Sequence, residues 1–158
     1  MSANRRRYVK ALYGFDAVVQ RVEESCWGSE SPCEGWSALD VLAHNVGMCE
    51  MIAGIARGIP ADTAQHPTLG NPKKDWIDAR DDVLEALDQP GALEIEVGTP
   101  WGHLAVDRFV GIVAVDPLLH TFDLAKSSGQ AVVLDEELAK AAYNQLEKAG
   151  DMIRGERF

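Results

Sequence analysis

Apolar side chains recur at alternating steps of three and four through five stretches of this chain. Each stretch is bounded by glycine, proline or a capping residue. Steps of three and four return to one side of a helix with about 3.6 residues per turn, so each stretch reads as a helix with a face to bury. Val9, Leu12, Phe15, Val19 and Val22 make the first stripe, from about Asn4 to Glu24, and "GSESPCEGW" breaks it. Ser37 then reads as an N-cap with Asp40 three positions on, in the manner of a capping box, and that helix runs to about Arg57 before "RGIP" stops it. A third helix spans about Lys73 to Asp88, with Trp76, Ala79, Val83, Leu84 and Leu87 inward and "QPG" at its end. The fourth runs from about Asp107 to Ser127, followed by Gly129, and the last from Asp135 to about Ile153.

Two segments fall outside this pattern. Residues from Ala61 to Pro72 are loop-like and read as a lid or rim. In "ALEIEVGTPWGHLAV" the period changes: Leu93, Ile95 and Val97 alternate with Glu94 and Glu96, which predicts a short β-hairpin or extended arm before the fourth helix. Long helices joined by modest loops predict an all-α fold, an antiparallel four-helix bundle, with residues 1–158 as one domain.

The composition narrows the partners. Fifteen Lys plus Arg stand against 25 Asp plus Glu, a formal charge of −10, and such a surface repels phosphate backbones and anionic lipid. Neither nucleic acid nor a membrane is therefore expected as a partner. The basic run Arg5 to Arg7 reads as a solvated helix end. No apolar stretch approaching the roughly 20 residues that span a bilayer is expected. The N-terminus is amphipathic rather than a signal peptide. Cys26, Cys33 and Cys49 are odd in number and lack CxxC spacing, so a reducing cytoplasm is expected. Cys49 reads as a small core residue; Cys33 lies in a loop beside Trp36, with no histidine or acid placed near it by spacing.

Polar residues interrupt two of the stripes. On the second helix, Val41, Met48, Met51, Ile52 and Ile55 share a face with His44. On the fourth, Phe109, Ile112, Val113, Leu119 and Leu124 share one with Asp116, His120 and Asp123. Asp116 and His120 are four apart, which stacks them one turn from each other. A buried carboxylate without a partner is costly, and two imidazoles with one carboxylate are donors that borderline divalent cations prefer. Three protein ligands leave coordination positions free for water or substrate. The residues alone leave a second reading open, in which these side chains only hydrogen-bond inside a structural bundle that pairs as a homodimer through an apolar helix face. Asp123 is expected to accept from an imidazole and orient it, with a bond to a loop backbone as the alternative.

At these residues the chain resembles a known family. "SPCEGWSALDVLAHNVG" is similar to the signature that opens the second helix in mycothiol-dependent maleylpyruvate isomerase N-terminal-like proteins of the DinB superfamily. "TPWG" followed by "DPLLHTFDLAKSSG" resembles that family's later pair of motifs. The resemblance implies a DinB-like bundle of up-down-down-up type and a metal held by His44, Asp116 and His120. Zinc is the first expectation, with nickel or iron as alternatives. It further implies a small-molecule substrate, with mycothiol as co-substrate of a transferase or isomerase that attacks an electrophilic carbon; metal-assisted hydrolysis is the nearby variant. Trp36, Trp101 and His103 would line the entrance. The family's isomerase carries Glu where Asp116 stands, and it has a further C-terminal domain, whereas this sequence ends at "GERF". Maleylpyruvate is thus not the expected substrate, and a non-catalytic metal- or ligand-binding bundle is the alternative.

Overall fold

The computed structural model describes residues 1–60, 64–99 and 102–150. These form a mostly helical structure with a small two-stranded sheet. Its helices are α1 (Ala3–Val19), α2 (Ala38–Ala56), α3 (Pro72–Asp88), α4 (Val106–Val113), α5 (Val115–Ser127) and α6 (Glu136–Ala149).

The caps explain where the chain turns. Ser2, Ser37, Asn71 and Asp135 each accept from a backbone N–H of the first turn they precede. At Ser37 the capping box closes in both directions, since the Asp40 carboxylate also accepts from the Ser37 N–H at 2.8 Å. Upstream of α2 the loop folds back on the helix start: the Ala38 N–H donates to the Ser29 carbonyl, the Leu39 N–H to that of Trp27, and the Ser31 N–H to that of Trp36.

The fourth predicted helix is two. Pro117 has no N–H to give to the carbonyl of Val113, and its ring crowds that carbonyl, so α4 ends and α5 begins around Ala114. The extended segment also differs from expectation. Gly91, with φ of 81°, starts a 3-10 turn over Ala92–Glu94, so Leu93 lies outside the strands. The hairpin itself is β1 (Glu96–Thr99) antiparallel to β2 (Gly102–Ala105), with Val97 opposite Leu104 and both buried.

The core is continuous through α1 to α5. Tyr8, Leu12, Phe15 and Val19 of α1 belong to this core; α1 meets α4 and α5, while α2 packs along α3 and also meets α5. Ala11, Leu118, Leu138 and Ala142 form a smaller cluster where α6 covers α5. Among the described residues, α2 is long and apolar enough to cross a bilayer, with mean hydropathy 1.2 over its window, a property the sequence reading missed. Most of its surface is buried against the neighbouring helices, which accounts for that composition.

The buried faces are rotated slightly from the predicted stripes. On α2 the innermost residues are Val41, Leu42, Asn45, Val46, Cys49 and Ile52, and His44, Met48 and Met51 are only half-buried. On α5 they are Pro117, Leu118, Thr121, Leu124 and Ala125, whereas Leu119 is exposed and Asp116, His120 and Asp123 sit at the border. The polar residues therefore occupy a partly exposed rim, not the centre of the core.

Candidate metal centre

α2 and α5 lie side by side, and their rims bring His44 against Asp116 and His120. The Nε2 of His44 stands 3.3 and 3.2 Å from the two carboxylate oxygens of Asp116. The Nε2 of His120 is 3.6 Å from Asp116 Oδ1, one helical turn along. One donor atom from each of the three residues falls within 4.8 Å of the others.

Each imidazole also has a partner on its far nitrogen. His120 Nδ1 is 3.0 Å from Asp123 Oδ2, and His44 Nδ1 is 3.3 Å from His66 Nε2. Such contacts fix ring orientation, so both Nε2 atoms aim at the same space beside Asp116. His66 was not singled out in the sequence: it lies in the segment read as a lid, where no helical period marks it. Trp36 packs on the group from above, with ring centroids 5.2 Å from His44, 5.0 Å from His66 and 5.8 Å from His120.

Electrostatics follow from this geometry. Burial alone would raise the pKa of Asp116, yet hydrogen bonds and charge from His120 and His44 hold it well below the usual carboxylate range. Burial disfavours the imidazolium of His120, but Asp116 and Asp123 outweigh that and raise its pKa. His66 is shifted down, by burial first and then by the neighbouring His44.

Two cysteines resolve differently. Cys49 is buried against the Tyr8 hydroxyl, 3.9 Å away, and burial pushes its thiol up to about 12, so it is a core residue. Cys33 has the acid neighbour that spacing did not reveal: its thiol donates to Asp123 Oδ2 at 3.4 Å. Burial and that carboxylate both raise its pKa, which argues against a free thiolate nucleophile.

His103 is not part of the group. It is exposed on β2 opposite Gly98. The hairpin borders Ile55, Gly58 and Ile59 at the far end of α2. Eleven helical residues separate His44 from Ile55, roughly 16 Å at 1.5 Å per residue, so His103 is remote from the entrance it was expected to line. Trp101 lies outside the described residues. A cleft of about 440 Å³ between α2, residues 67–70 and α3 is lined by Glu50, Asp75, Asp78 and Asp82 and does not touch the histidines. The convergent donors, not the larger cleft, identify the chemistry.

Gly47 makes the arrangement at His66 possible. It lies on α2 one turn beyond His44, and a Cβ there would sit 1.7 Å from the carbonyl oxygen of Gln65. Gly47→Ala is therefore expected to lift the 64–66 segment and withdraw His66 from His44. Alanine is the better helix former by about 1 kcal/mol, so α2 itself does not suffer. Cross-peaks between the His66 and Trp36 rings should vanish in NMR spectra. Unchanged ring contacts would contradict this packing.

The sequence matches the family model described as the mycothiol maleylpyruvate isomerase N-terminal domain over residues 10–125. The chain belongs to that family. The matched span includes every residue of the cluster, from Cys33 and Trp36 through His44 and His66 to Asp116, His120 and Asp123. It is also similar to two uncharacterized proteins of Mycobacterium tuberculosis, from strains CDC 1551 / Oshkosh and H37Rv. Each is 28% identical over 130 residues, covering 82% of this chain and 70% of the relative.

Proposed function

We propose that this protein is a metal-dependent enzyme that uses a low-molecular-weight thiol, mycothiol by family membership, to conjugate or isomerise a small electrophile. His44, Asp116 and His120 hold the divalent cation. The observation that carries the reading is the convergence of those three donors from two helices, each imidazole oriented from behind. Two nitrogens and one oxygen suit zinc, with nickel or iron as alternatives. The cation supplies Lewis acidity, which lowers the pKa of a thiol or water at an open position. Asp123 and His66 keep the histidine rings aimed, and Trp36 shields the rim from water. α1, α2, α3 and the α4–α5 pair are then the four members of a DinB-type bundle forming one domain. A reducing cytoplasm, a small-molecule substrate and a homodimer complete the reading.

Purified protein loaded with zinc, nickel or iron and incubated with mycothiol and a panel of electrophiles should consume thiol only when the metal is present. Metal-independent turnover would overturn the proposal. Stoichiometric metal binding without turnover would favour the non-catalytic binding role.

The pKa directions predict how binding depends on pH. The cation needs neutral His120, whereas Asp116 and Asp123 favour its protonated form. Zinc affinity should therefore fall at least about tenfold per pH unit below the raised pKa of His120, since binding displaces the proton of that ring. In the metal-free protein the sign is opposite: the stability from a raised His120 pKa is fully present below about 6.5, the unfolded value, and is lost as pH rises through the folded one. Asp116 remains ionised throughout that window because its pKa is depressed. The zinc-induced rise in melting temperature should thus grow as pH rises from about 5.5 through the raised pKa of His120. A flat profile would contradict His120 as a ligand.

A further inference from the structure

Three donors of a different kind meet on the other side of His120. The thiol of Cys33, a carboxylate oxygen of Asp123 and a ring nitrogen of His120 also fall within 4.8 Å of one another. His120 Nδ1 and Cys33 Sγ both reach the same atom, Asp123 Oδ2, at 3.0 and 3.4 Å. All three residues are half-buried. Cys33 is held in place by its own turn: its N–H donates to Ser31 Oγ at 3.0 Å, and the Trp36 N–H donates to the Cys33 carbonyl at 3.0 Å. The loop packed on the start of α2 thus presents a sulfur to the rim of α5.

We propose that Cys33, Asp123 and His120 Nδ1 form a second cation site, selective for ions softer and more thiophilic than zinc, that competes with the first site for His120. Sulfur, imidazole and carboxylate together favour a softer ion than two imidazoles and a carboxylate do. The competition follows from the ring itself. Neutral imidazole has one nitrogen with a free lone pair and one bearing hydrogen. At the first site His120 offers Nε2 while Nδ1–H donates to Asp123. At the second it offers Nδ1 while Nε2–H faces Asp116. A cation taken by Cys33 and Asp123 therefore locks the tautomer that the first site cannot use. Binding breaks the S–H bond heterolytically: the sulfur electron pair goes to the metal, the proton goes to solvent, and no redox partner is needed.

Cadmium is the probe. Titrating the metal-free protein should give a thiolate-to-cadmium charge-transfer band that saturates at one equivalent and is lost in Cys33→Ser and weakened in Asp123→Asn. In 15N-labelled protein, cadmium should bond Nδ1 of His120 and leave hydrogen on Nε2. Asp116→Ala disables the first site but should keep the band. That separates this inference from the proposed function on which its competition rests. In zinc-loaded protein each cadmium bound should release one zinc to a chromogenic chelator. Absence of the band, cadmium on Nε2, or a band that forms with all zinc retained would each overturn the proposal.

Discussion

With the cation held as proposed, Asp116→Asn protein is expected to lose its affinity for divalent cations while keeping its fold. The carboxylate lies between the two imidazoles, 3.2 Å from His44 Nε2 and 3.6 Å from His120 Nε2. Within the cluster the other carboxylate, Asp123, faces His120 from its Nδ1 side and cannot substitute. Asparagine preserves shape and still accepts a hydrogen bond, so the rim packing survives. It removes the anionic donor, however, and the loss should exceed the roughly 10- to 100-fold that a missing orienting partner costs. Stabilisation makes the loss visible. A ligand at about 100 times its Kd adds about 2.7 kcal/mol. In a chain of this length that raises the melting temperature by roughly 5–10 °C. Zinc should produce that rise in the wild-type protein and none in the variant, with chelator competition reading the affinity directly. A variant that binds zinc as tightly as wild type would place the cation elsewhere.

How much of this was legible depends on what each feature rests on. Ser37 with Asp40 and the glycine after Arg57 are local signals, and α2 spans Ala38–Ala56 much as they indicate. The spacing of Asp116 and His120 is equally local, because a step of four always stacks side chains on a helix. Depth was less legible. A helical stripe is about 100° wide, and residues at its margin share the period of those at its centre. His44, Met48 and Met51 therefore counted as inward when they are marginal. Pro117 announced the break near Ala114, yet the apolar period runs through it and masked the interruption. His66, Cys33 and the exposed position of His103 depend on how loops fold onto helices. Only tertiary structure carries that: the approach of Gln65 to Gly47 and the turn that tethers Cys33 leave no periodic trace.

Trp76→Ala is expected to be the most destabilising single change, at about 3–5 kcal/mol, the usual cost of truncating a large buried aromatic. Trp76 is fully buried on α3 and meets Phe15 of α1 edge-on, with centroids 4.8 Å apart and planes at 71°. Its indole N–H donates to Asp16 Oδ1 at 3.0 Å, and the same oxygen pairs with Arg80 at 2.8 Å. Truncation opens a cavity between α1 and α3 and removes both the aromatic pair and a partly buried hydrogen bond. Trp76→Phe should cost less, about 1–3 kcal/mol, because most of the volume stays and Asp16 keeps Arg80 as its partner. At about 2–4 °C per kcal/mol, the alanine variant should melt roughly 6–20 °C lower. The proposed donors for the cation stand on α2 and α5, neither of which carries Trp76 or Phe15. Well below its melting point the alanine variant should accordingly bind zinc with wild-type affinity, and Asp116→Asn should show the converse pattern. Equal melting temperatures for Trp76→Ala and wild type would refute the α1–α3 packing. A parallel loss of zinc affinity in the folded variant would instead mean that this part of the core, and not the rim contacts alone, sets the distance between the imidazoles.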